Sequence, residues 1–109
     1  MPTPTRFTPA EMAALPLPAG RLSAQAFITE DVELRHYAPR DGDPQTPHAR
    51  DELYFVIEGR GRFERAGTVV DFAPGDVLFA AAGEAHRFVD FTPDFATWVL
   101  FYGPEREKA

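Results

Sequence analysis

The sequence predicts an all-β domain, either a β-sandwich or a jelly-roll barrel. Two observations carry this: from Arg21 onward the chain is a series of short strand-like runs, and no helical period interrupts them. A third is the length. At 109 residues there is room for one hydrophobic core, so every strand must contribute to the same one.

The elements follow in order. Thr8, Pro9 and Glu11 form a helix start: a hydroxyl N-cap, proline at the first helical position and a carboxylate that reaches back to the cap. Phe7 and Met12 are spaced as a hydrophobic staple across that start. The helix should end by Ala14, because Pro16 and Pro18 lack the amide hydrogen and push their predecessors out of the helical region. Strands are expected at 22–28, 32–37, 52–58, 61–65, 68–72, 76–80, 86–91 and 95–102. Between them lie turn-formers such as Gly59, Ala66-Gly67, Pro74-Gly75, Gly83 and Thr92-Pro93-Asp94. Residues 1–20 are thus read as an N-terminal segment with a short helix, 21–104 as the barrel and 105–109 as a frayed tail. The runs 53–57 and 95–102 are apolar on both faces, so one face fills the interior and the other needs a cover. Either the N-terminal segment or a second copy in a homodimer would supply it.

Composition excludes several classes of function. With 11 basic and 17 acidic residues the net charge is -6, which opposes binding to nucleic acid or to anionic membranes. No apolar run approaches the length of about 20 residues that crosses a bilayer, and the first ten residues lack a signal-like apolar stretch. A cytoplasmic location is expected. The chain has no cysteine, which removes disulfides, thiolate metal sites and thiol nucleophiles.

The chemistry lies in the histidines, of which there are three, at 36, 48 and 86. In an extended segment side chains two apart share a face, so His48, Arg50 and Glu52 would point together. Two imidazoles and a carboxylate suit a borderline divalent metal and leave coordination positions open, as in non-haem iron sites. Spacing alone does not bring His86 to this group. The competing reading is a pair of histidines that simply hydrogen-bond within the fold.

Two stretches resemble a known pattern. Gly42-x5-His48-x3-Glu52-x6-Gly59 is similar to the first motif of the cupins, and Gly75-x5-Ala81-x-Gly83-x2-His86-x3-Asp90 to the second. The fifteen residues between them, 60–74, match the short spacer of small single-domain bacterial cupins. The resemblance implies a cupin barrel, or double-stranded β-helix, with one divalent transition metal (Fe, Mn, Ni or Zn) on His48, Glu52 and His86. The usual first histidine of motif one falls on Thr46, a poor ligand, and the usual proline and asparagine of motif two are Ala81 and Asp90.

Around these residues, Gln45 could offer an amide oxygen at the vacant position, although 43–47 reads equally well as a plain loop. Arg50 is either a clamp for a substrate carboxylate or a surface arginine paired with Asp51. Tyr54 shares parity with Glu52, and Phe88 with His86, so both are expected to line the cavity. Trp98 joins them as a cavity candidate, with its face undetermined. The implied function is a metal-dependent enzyme on a small organic substrate, foremost a mononuclear dioxygenase. The alternatives are a metal-dependent isomerase or lyase and a non-catalytic module that binds a sugar or effector.

Overall fold

A computed structural model describes residues 4–106. One helix, α1 (Pro9–Ala13), precedes eight strands: β1 (Ser23–Ile28), β2 (Val32–Tyr37), β3 (Asp51–Glu58), β4 (Gly61–Arg65), β5 (Thr68–Phe72), β6 (Val77–Ala80), β7 (His86–Val89) and β8 (Ala96–Tyr102). Every expected strand is present, with ends that move by two residues at most. The strands form two antiparallel sheets, one of five in the order β1-β2-β8-β3-β6 and one of three in the order β5-β4-β7.

The core lies between the sheets and is strongly aromatic. Phe88 is at its centre, with ring centroids 4.8–4.9 Å from those of Phe95, Tyr54 and Phe63. Alternation explains which residues arrive there: in β3 Glu52, Tyr54 and Val56 are buried while Leu53, Phe55 and Ile57 are only partly so. Gly59 turns the chain from β3 into β4 at φ +85°, and a Cβ there would lie 2.5 Å from the Cα of Phe95, so no other residue fits. The motif glycine at this position is thus a consequence of two backbones in contact.

The helix start behaves as read. Thr8 and Glu11 complete a capping box, and the helix stops at Ala14. Phe7 stacks on Phe27 of β1 at 5.2 Å and Met12 is buried, with α1 against β2, so the N-terminal segment covers one part of the large sheet's outer face. The rest of that face stays apolar: Val77 and Phe79 are 54% and 37% exposed beside Phe55 and Leu53.

Within the segment read as a frayed tail, Arg106 is held. Its amide donates to the Ala49 carbonyl at 2.7 Å and its guanidinium to Asp51. Residues 107–109 lie outside the described residues.

Candidate metal centre

The three motif residues come together by different routes. Glu52 sits in β3 with its side chain turned inward and 1% exposed. His86 opens β7, and its Nδ1 donates to the Glu84 carbonyl at 2.9 Å. That bond assigns the hydrogen to Nδ1 and leaves the Nε2 lone pair facing Glu52 Oε2 at 3.4 Å. His48 arrives from the loop before β3, with Nε2 3.6 Å from Glu52 Oε1. Potential ligand atoms of His48, Glu52 and His86 all lie within 4.8 Å of one another.

The group fits a metal ion on its donor chemistry. Two imidazole nitrogens and a carboxylate are a suitable donor set, and the Glu84 carbonyl holds His86 in the tautomer that a ligand needs. The electrostatics differ between the two imidazoles. Burial pulls His48 below its ordinary value and outweighs the charge of Glu52. Burial also opposes the charged form of His86, but the hydrogen bond and charge of Glu52, with the Glu84 carbonyl, prevail and raise it.

Two further side chains complete the site. Tyr54 donates its hydroxyl to Glu52, and its oxygen lies 3.1 Å from His86 Nε2 and 3.1 Å from the Gln45 amide oxygen. Burial, with the charge and hydrogen bond of Glu52, holds this phenol well above the ordinary tyrosine value. Gln45 Oε1 is also 3.3 Å from His48 Nε2, and Gln45 Nε2 donates to Asp43 at 2.7 Å. Asp43 is the organiser that the sequence did not announce. It accepts from Tyr37, from Gln45 and, at 2.7 Å, from the Phe88 amide, and so pins the 43–47 loop over the site.

Three expectations need correction. Thr46 is exposed and lines none of the described cavities; the neighbouring Gln45 turns inward in its place. Trp98 is on the outer face of β8, opposite Phe55 and His36, because the buried parity of that strand belongs to Thr97 and Val99. Phe88 is 1% exposed and packs beneath Tyr54 in the aromatic core, so it supports the site without lining it. Tyr54 does line a small interior cavity of about 40 Å³, together with Tyr37, Gln45, His48 and Phe101. Arg50 shares an outer cleft with His48 but turns away from Glu52, its Nε donating to the Gly103 carbonyl at 2.9 Å.

Comparison with known proteins places this geometry in a family. Residues 33–101 match the cupin domain, and the chain belongs to that family. It is 40% identical over 63 residues to SCO3923, an uncharacterised protein of Streptomyces coelicolor; the match covers 58% of this chain and spans 60% of the relative's length. Among solved structures, a double-stranded β-helix protein of Klebsiella pneumoniae superposes with a TM-score of 0.69 at 20% identity, over 96% of this chain and 99% of that one. A chain of the DMSP lyases RdDddP and RnDddQII aligns with a TM-score of 0.64 at 23% identity, over 76% of this chain and 47% of its own. These structural likenesses show the fold.

Proposed function

We propose that His48, Glu52 and His86 hold one divalent transition ion, drawn from iron, manganese, nickel and zinc, and that Tyr54 handles the proton in a lyase- or isomerase-type reaction on a small organic substrate. The observation that carries this is the Tyr54 hydroxyl, within hydrogen-bond reach of both Glu52 and His86 while it faces the interior cavity. When bound, the ion would supply Lewis-acid polarisation of a substrate oxygen. Held protonated by burial and by Glu52, Tyr54 is a proton donor at neutral pH. Gln45 Oε1 offers that hydroxyl a second acceptor at 3.1 Å, and Asp43 keeps Gln45 in place. The fold-level likeness to a DMSP lyase agrees with this class of reaction without specifying a substrate.

A dioxygenase is the second reading, favoured by a ligand set of two histidines and one carboxylate, the kind that leaves coordination positions open. A sugar-binding module is the third reading, which turnover assays separate from the other two.

The test joins elemental analysis of protein purified without a metal-affinity tag to turnover assays over small carboxylates and carbonyl compounds. Tyr54→Phe should keep the metal and lose about 10²–10⁴-fold in turnover. Unchanged turnover would remove the proton-transfer role. Oxygen uptake matched to product would select the dioxygenase, and saturable binding without product would select the module.

We also propose a homodimer built on the uncovered part of the large sheet. Val77, Phe79, Phe55 and Leu53 support it, because an apolar patch on adjacent strands is a poor surface to leave in water. Sedimentation should give about twice the 12.1 kDa chain mass, and Phe79→Glu should return the monomer. A wild-type monomer would overturn the proposal.

A further inference from the structure

We infer that the cleft beside His48 is the mouth of the site and that Arg50 there receives the carboxylate of a small organic acid. The two imidazoles decide which side is open: the His48 side chain is 35% exposed and that of His86 is 1%. On the His48 side lies a cleft of about 250 Å³ whose lining includes Arg21, Arg35, Arg50, Glu33, Glu105 and Phe101. Ser23, His48 and Phe101 line both this cleft and the interior cavity beside Tyr54.

The arginines of the cleft are not equivalent. Arg35 is fully engaged, with Nε on Ser23 Oγ, one terminal nitrogen on Glu33 and the other on the Ser23 carbonyl. Its charge is cancelled by Glu33 at 2.6 Å. Arg50 spends only Nε, on Gly103, and its Nη2 is shut from solvent with no acceptor among the described residues. Asp51, the neighbour that could have neutralised it, is committed to Arg106 and to the Ala82 amide at 2.9 Å. The buried Nη2 is out of a ligand's reach, but no neighbouring carboxylate cancels the guanidinium's charge, and Nη1, unbonded among the described residues, can offer that charge to a carboxylate in the cleft. Exposed Arg21 adds positive charge at the rim; of the two acids in the lining, Glu33 is spent on Arg35 and Glu105 remains.

Thus the acid end of the ligand sits on Arg50 and its reacting end lies against His48, on the side of the reaction centre. A cleft of about 250 Å³ suits a small organic acid. The direction in which the ligand points rests on the reading of His48, Glu52 and His86 as the reaction centre; the carboxylate site itself does not.

Calorimetric titration with acetate, pyruvate, malonate and benzoate, against pyruvamide and benzamide as uncharged counterparts, tests the inference. At least one acid should bind the wild type in the millimolar range or tighter, and its amide should bind at least tenfold more weakly. Arg50→Ala should lose at least tenfold in acid affinity, Arg50→Lys should fall between, and Glu105→Gln should bind the acid more tightly. Metal content should be unchanged in all three variants. His48→Ala should lose metal affinity yet keep the Arg50-dependent binding, which separates failure of the metal reading from failure of this one. Equal binding of acid and amide, no acid binding at all, or full affinity in a folded Arg50→Lys would overturn the inference.

Discussion

The two histidines of the site occupy opposite situations. His86 is on a strand, sealed from solvent, tied through Nδ1 to the Glu84 carbonyl and raised in pKa by Glu52. His48 is on a loop, open to the outer cleft, touched by Gln45 and the edge of Phe101, and lowered in pKa. One imidazole is built into the barrel, and the other stands on a loop beside the cleft. The difference teaches that preorganisation here comes from the β7 side, while access is governed from the loop before β3.

The largest expected effect breaks that asymmetry at its fixed end. His86→Ala should reduce metal affinity by more than about 100-fold, because it removes the ligand whose orientation is set by the backbone. His48→Ala should lose less, since a water molecule from the cleft can take the vacated position. Competitive zinc titration of both variants with a fluorescent chelator measures the ratio. Equal losses would show that the two imidazoles are equally preorganised.

The second prediction uses protons. Imidazoles must be neutral to bind metal, so affinity falls as pH drops through the pKa of whichever ligand holds its proton more firmly. That is His86, raised above its ordinary value of 6.5, whereas His48, lowered below it, is already neutral there. Zinc binding just above pH 6.5 should therefore release a proton in the wild type, and the release should vanish in His86→Ala but persist in His48→Ala. In the metal-free protein the same shift has a stability consequence. A raised folded pKa means that His86 stabilises the fold below its unfolded value and loses that contribution as pH rises through the folded one. Proton release measured in buffers of different ionisation enthalpy gives the number directly.

Much of this was legible beforehand because strands obey a period of two. The eight strands, the inward turn of Glu52 and Tyr54 and the capped helix all follow from alternation and turn chemistry. The period gave no answer where a strand is apolar on both faces, and Trp98 lies on the outer one. Nor did it hold across 48–52, since β3 begins only at Asp51 and the chain bends at Ala49 and Arg50. That bend sends Arg50 to Gly103 and the outer cleft while His48 still reaches Glu52. Tyr54 was placed by parity, but its contact with Gln45, itself held by Asp43, comes from an aperiodic loop. Such a loop leaves no register from which to read side-chain direction.

The smallest effects belong to that loop, and they sharpen the account of His48. Gln45 touches His48 and Tyr54 with one amide oxygen and anchors itself on Asp43 with the amide nitrogen. Gln45→Ala leaves His48, Glu52 and His86 in place and removes a contact to His48 Nε2, the atom that would bind the metal, along with those to Tyr54 and Asp43, so metal affinity should change by no more than about 10-fold, the low end of the effects of neighbouring groups on a metal site. Thr46, one residue on, is exposed, so Thr46→His should change metal affinity by less than about threefold, within ordinary surface-mutation scatter of roughly 0.5 kcal/mol. The same zinc titration reads both variants. A gain of tenfold or more in Thr46→His would mean that the loop can rotate to bring position 46 inward and expel Gln45, and His48 would then owe its position to the loop's conformation at the moment of binding instead of to the contacts with Gln45.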